Sequence, residues 1–166
     1  DLIISRTGYT GELGFEIYGS HDSINKIWKE LLNHEVEPCG LGVRDILRME
    51  MKYCLYGNDI SQNTNPIEAG LKWIVDLSTK DFIGKAAINL IVENGATKNL
   101  ICFMMEDRAI PRKGYNIKLE NEDIGITTSG IFSPGLNAGI GLSYIKSALS
   151  TNEKNKLFIE IRNKLF

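Results

Sequence analysis

The 166-residue sequence lacks most features that announce a chemistry. Cysteine is sparse. Cys39, Cys54 and Cys102 stand far apart, no C-x-x-C pair occurs, and His21 and His34 do not sit with them. This argues against a disulfide framework and against a metal site, and it points to a reducing compartment. No apolar run approaches the roughly 20 residues of a membrane span. Neither sign of charge dominates: a net charge of −2 predicts no nucleic-acid partner and no anionic-membrane surface. Repeats, low-complexity segments, a Walker lysine motif and a G-x-S-x-G elbow are all missing. Gly8, Gly11 and Gly14 are spaced G-x-x-G-x-x-G, which is not the dinucleotide fingerprint. Gly40-Leu41-Gly42 opens a predicted helix, but Asp45 stands at the third glycine position. Asp1-Leu2-Ile3-Ile4 is too short and wrongly charged for a signal peptide. It reads as a strand that begins without a lead-in, from which we expect a fragment of a longer protein.

What is present suits a globular chain. At 43% hydrophobic and 24% charged residues, it can bury a real core in one large domain or two small ones. The stretch that stands out is Ser5–Tyr18, SRTGYTGELGFEIY. Its glycines let another backbone or a flat ligand approach closely. From Glu12 the residues alternate, with Leu13, Phe15 and Ile17 on one face and Glu12, Gly14, Glu16 and Tyr18 on the other. Two readings fit the second face: a solvated hairpin surface, or a binding wall that presents carboxylate oxygens from rigid backbone.

Leu2–Thr7 and Phe15–Tyr18 read as paired strands around a Gly8–Gly11 turn. A helix is predicted over Ile24–Asn33, with Ile24, Ile27, Trp28, Leu31 and Leu32 as its apolar stripe and Trp28 in the core. A second helix starts near Gly42. It sets Arg44, Arg48 and Lys52 in a basic row, and Asp45 can pair with Arg48 at i, i+3. That row is either a solvated stripe or, at Arg44, a planar fork of donors facing a cavity. Strands are expected at Tyr53–Asp59 and Leu71–Val75, and a third helix over Asp81–Val92, stopped by Asn94-Gly95. Beyond residue 95 come five short strand candidates: Leu100–Met105, Tyr115–Leu119, Ile124–Ser129, Gly139–Ile145 and Leu157–Ile161. Their spacing suggests a small sandwich or barrel. The expected domains are 1–95 and 96–166.

Several separated segments then carry a resemblance. SRTGYTGELGFEIY, PCGLGVRDILRMEM, LYGNDI, PIEAGLKWIV and DFIGKAA, followed by RAIPRKGYNI and GITTSGIFSPGLNAGIGLSYI, resemble in order the second half of the aminomethyltransferase (T-protein) family of the glycine cleavage system. The resemblance covers nearly the whole chain. It implies an α+β fold: part of a ferredoxin-like folate-binding domain followed by a small C-terminal β-barrel. It also implies a gap. The family's catalytic aspartate lies in an N-terminal half with no counterpart here, so no catalytic residue is assigned. Family chains also carry another strand and an apolar-aromatic tail after the position of Arg162.

The implied activity of the intact enzyme is transfer of the methylene of the aminomethyl group, carried on the lipoyl arm of H-protein, to tetrahydrofolate with release of ammonia. By position, Glu16 matches the family glutamate that binds the pterin and Arg44 matches a folate-contacting arginine. Glu12 belongs to the same motif. Tyr18, Tyr56 and Trp73 are flat side chains that could line the pocket. The chain departs from the family at Met51-Lys52-Tyr53-Cys54, where small residues and glycine are usual. The implied location is cytoplasmic, or the mitochondrial matrix in a eukaryote. Two alternatives stay open: the folate module of a dimethylglycine or sarcosine dehydrogenase or of an iron–sulfur assembly protein, and a non-catalytic binding domain without folate.

Overall fold

The computed structural model describes residues 1–120, 122–150 and 156–166. The chain is α+β and divides into two units, Asp1–Tyr53 and Cys54–Phe166. Among the described residues, no helix is long and apolar enough to cross a membrane.

In the first unit, β1 (Leu2–Ser5) and β2 (Glu16–Gly19) pair antiparallel, with Ile3 opposite Tyr18 and Ser5 opposite Glu16. β1 ends two residues earlier than expected, and β2 keeps the expected length but is shifted by one residue. Glu12, Leu13 and Phe15 precede β2 in an irregular bend, so pleat alternation does not place Glu12 on the face of Glu16. Helix α1 (His21–Asn33) starts at Ser20, whose side chain accepts from the Ser23 amide. Its apolar stripe is where the periodicity predicts, but none of its residues is fully buried. Trp28, expected in the core, is 52% exposed. It packs beside Leu31, Leu32, Val36 and Pro38 in a shallow cleft. A stripe says which face of a helix is apolar, not how completely that face is covered. Helix α2 (Leu41–Glu50) buries Arg48 and Met49 at its C-terminal end.

In the second unit, two predicted strands are replaced by turns. Around Tyr53–Asp59 the Asp59 carboxylate accepts from the Leu55 amide at 2.9 Å. The Asp59 amide returns to the Leu55 carbonyl at 2.8 Å, and Gly57 sits at φ 86°. Local side-chain bonds of this kind outcompete an extended ladder. Leu71–Val75 likewise contains a 3-10 turn, Lys72–Ile74. It follows a turn that Asn65 initiates by accepting from the Glu68 amide at 2.9 Å. Helix α3 (Lys85–Asn94) begins later than predicted because Gly84, at φ 94°, is left-handed. It ends at Gly95, also at positive φ, as expected.

The five predicted strands are present as β3 (Lys98–Met104), β4 (Asn116–Leu119), β5 (Glu122–Ser133), β6 (Ala138–Lys146) and β7 (Leu157–Ile161). A short helix α4 (Ser147–Ser150) follows β6. A two-residue strand β8 (Lys164–Leu165), not legible in the pattern, turns back on β7 through Arg162 and Asn163, both at positive φ. The sheet order is β3-β6-β5-β4-β7-β8, every pair antiparallel. Ile117, Ile124, Ile145, Ile159 and Met105 form its core. Lys118 on β4 holds Asp123 of β5 at 2.8 Å and Glu160 of β7 at 3.4 Å, linking three neighbouring strands. The ion pair with Asp123 keeps its ammonium above the usual lysine range. Between Thr127 and Ser129 the β5–β6 register shifts, so Thr128 is an extra, unopposed residue. Such a bulge re-aims a side chain out of the ladder.

Candidate functional site

The glycine-rich turn of the first unit is folded against helix α2. Gly11 has φ 82°, a conformation that favours glycine, and a side chain there would displace the Met51 side chain just past the helix end. Two residues earlier, Tyr9 lies beneath Arg44, whose Cζ is 4.6 Å from the ring centroid. The guanidinium is thus held over a π face. Tyr9 also stacks on Tyr53, with centroids 5.8 Å apart and planes 25° apart. Aromatic pairs favour this offset arrangement.

Glu16 opens β2 and is half-buried. Thr7 Oγ1 lies 2.6 Å from Glu16 Oε2 and 2.9 Å from Ser5 Oγ. The hydroxyl has one hydrogen and the carboxylate has none, so Thr7 donates to Glu16. Oε1 has no hydrogen-bond partner among the described residues and remains an open acceptor. Arg44 is exposed in the first turn of α2, with its donors accessible. The unit therefore offers an acceptor edge at Glu16 and a cationic donor fork at Arg44. A carboxylate accepts from N–H donors and a guanidinium donates to carbonyl oxygens.

The remaining candidates are placed differently. Glu12 is exposed in the bend between Gly11 and Gly14. Tyr18 is on β2, opposite Ile3, and 51% exposed. Tyr56 and Trp73 belong to the second unit and are strongly exposed. Arg48 and Lys52 do not form a solvated stripe with Arg44. Arg48 is 1% exposed, and its Nε bonds Asp45 Oδ1 at 2.8 Å, the pairing expected at i, i+3. Lys52 occupies a left-handed conformation at φ 58°. Sequence reasoning did not single out Tyr9 and Tyr53. The only signal was an aromatic set among closely spaced glycines and another just past a helix end.

The second unit carries a buried polar cluster of its own. Asp59, 1% exposed, accepts from Thr128 Oγ1 at 2.5 Å. At its exposed edge, Lys113 Nζ donates to the Gly57 carbonyl at 3.0 Å and to Asn58 Oδ1 at 2.7 Å. Glu68 accepts from Thr97 at 2.9 Å. Burial pushes the Tyr144 phenol well above its usual pKa, and the nearby Cys54, Asp59 and Glu68 add to the shift.

Comparison with known proteins agrees with the fold. The family model described as the GCVT N-terminal domain matches residues 1–79, and that of the glycine cleavage T-protein C-terminal barrel domain matches residues 98–166. The aminomethyltransferase of Halothermothrix orenii is 45% identical over 168 residues, spanning 99% of this chain and 47% of that protein. That of Thermosipho melanesiensis is 49% identical over 164 residues, spanning 98% and 44%. The crystal structure of glycine cleavage system aminomethyltransferase T from Bartonella henselae superposes with a TM-score of 0.91 at 34% identity, over 99% of this chain and 47% of that one. The chain spans about half the length of the curated relatives it matches.

Proposed function

The chain belongs to the glycine cleavage T-protein family, and on that premise we propose that it works in aminomethyl transfer to tetrahydrofolate. In this reading the aminomethyl group arrives on the lipoyl arm of H-protein, ammonia leaves, and tetrahydrofolate takes the methylene. The observation that carries the reading is the folding of the two family motifs onto one another. Tyr9 of the glycine turn lies under Arg44 of α2, and Gly11 lies against Met51.

Glu16 binds the pterin through its carboxylate. Thr7 holds Oε2, so Oε1 faces the ligand's amino and ring N–H donors. Charge-assisted bonds of this type fix orientation as well as affinity. Arg44, held over Tyr9, gives donors to the ligand's acceptors, and Glu12 is a further contact from the same turn. Tetrahydrofolate supplies the amine nitrogens that accept the one-carbon unit. The residues of this chain bind and orient it. No proton transfer is assigned to residues 1–166. The reaction runs in the cytoplasm, or in the mitochondrial matrix of a eukaryote.

Because the chain spans about half of its relatives, we assign residues 1–166 one wall of the pocket, with transfer depending on what the relatives' other half provides. Holding two reactants in geometry accounts for several kcal/mol of a barrier, and a single wall forfeits it. A glycine-cleavage assay with H-protein and tetrahydrofolate, run on residues 1–166 and on the full chain, tests this. Turnover only in the full chain is expected. Equal turnover in both would place the whole chemistry within these residues.

A further inference from the structure

Arg48 holds Tyr53 twice. Its backbone carbonyl accepts from the Tyr53 amide at 2.7 Å, and its side-chain Nη1 donates to the Tyr53 carbonyl at 3.1 Å. Between them Lys52 takes a left-handed conformation, φ 58°, that a side-chain-bearing residue adopts only where its surroundings enforce it. Arg48 is almost completely buried, and Asp45 on the same helix fixes its Nε at 2.8 Å. The guanidinium fork thus ties the helix to the chain that leaves it. What that chain delivers is the Tyr53 ring, stacked on Tyr9, and Arg44 lies over the Tyr9 ring as well.

We propose that Arg48 is a positioning residue for the folate site. Through the Tyr53 backbone it sets the Tyr53–Tyr9 stack, and through that stack the place of the Arg44 guanidinium. The inference rests on the folate reading given above. Arg44 is exposed, and a long side chain in water samples many rotamers, each of which binding must exclude. Seating it on a stacked pair ordered from below removes part of that cost before the ligand arrives. Arg48 is suited to the task because one planar group reaches Asp45 and the Tyr53 carbonyl together, whereas a lysine ammonium is a single point donor. Tyr53 acts through its ring, so phenylalanine can replace it and a branched aliphatic cannot.

The test is calorimetric titration of tetrahydrofolate into the full chain and into Arg48→Lys, Tyr53→Leu, Tyr53→Phe, the double variant Arg48→Lys/Tyr53→Leu, and Arg44→Lys. Tyr53 is 37% exposed, so Tyr53→Leu keeps the fold even where the buried Arg48→Lys lowers Tm. Arg48→Lys and Tyr53→Leu should each weaken binding roughly tenfold. Tyr53→Phe should bind as the parent does, and the double variant should bind no worse than the weaker single one, because both changes break one linkage. Parent affinity in Arg48→Lys and Tyr53→Leu, alongside a loss in Arg44→Lys, would overturn the positioning role and leave the folate site standing. Additive losses in the double variant would also overturn it. Parent affinity in all variants, Arg44→Lys included, would remove the folate site and this inference with it.

Discussion

Thr128 Oγ1 donates to the Asp59 carboxylate at 2.5 Å, joining residues 69 positions apart. The bond depends on the bulge in β5, which takes Thr128 out of the β5–β6 ladder and aims its hydroxyl at the 55–60 turn. It also joins two of the segments that carry the family resemblance, LYGNDI and TTSG, within one buried cluster.

Replacing Thr128 by valine keeps the shape and removes the donor. A hydrogen bond to a charged group contributes about 1.5–3 kcal/mol, and the buried Asp59 carboxylate would lose one of its donors. Thr128→Val should lower stability by that amount, read from thermal or urea unfolding, while Thr128→Ser should recover most of it. Equal stability in Thr128→Val would show that this bond does not hold the turn.

Arg44→Lys keeps the charge and loses the planar fork. An ammonium cannot place paired donors on a heterocycle edge, so tetrahydrofolate affinity should fall with Tm unchanged. If Arg44 is only an exposed cation, the titration curve will match the parent's.

Tyr144 gives the fold an alkaline limit. Burial, reinforced by the charges of Cys54, Asp59 and Glu68, raises its pKa, although Thr64 opposes the shift. Thr64 is close, yet the hydroxyl has no partner in hydrogen-bond geometry among the described residues. A folded-state pKa above the unfolded value of about 10 means stability that is present below pH 10 and lost as pH rises beyond it. Tyr144→Phe removes both the titrating group and an unpaired hydroxyl, and it keeps a ring under Lys98, whose Nζ is 5.0 Å from the Tyr144 centroid. The variant should match or exceed the parent's stability at pH 7 and lose less of it between about pH 9 and 11. A parallel decline of the two proteins over that range would contradict this.

Much of the fold is written in periodicity. The stripe of α1, the glycine stop of α3 and the five strands from Lys98 to Ile161 follow from spacing alone. Three things did not. The Tyr53–Asp59 and Leu71–Val75 segments contain strand-like residues, but Asp59 and Asn65 bond nearby amides and bend the chain first. The short β8 is set by two left-handed residues without glycine, a turn with no sequence flag. The burial of Arg48 depends on what packs around it, which no row of charges on a helix reveals. The site was legible to a different degree. Pattern alone reaches a carboxylate at Glu16 and an arginine in the first turn of α2, and the proposal of a shared ligand for them rests on the family motifs. The Tyr9–Tyr53 stack that connects Arg44 to the chain after α2 is a product of tertiary folding.

The most direct test of the account is the dissociation constant of tetrahydrofolate for the full chain and for Glu16→Gln, measured side by side by calorimetry. The amide keeps the size and one acceptor of the carboxylate but loses its charge and turns the other position into a donor. If Glu16 holds the pterin through Oε1 while Thr7 holds Oε2, binding should weaken by about 1.5–3 kcal/mol with unfolding unchanged. An unchanged dissociation constant would contradict the account, leaving Glu16 as hairpin surface and the folate site without its acceptor.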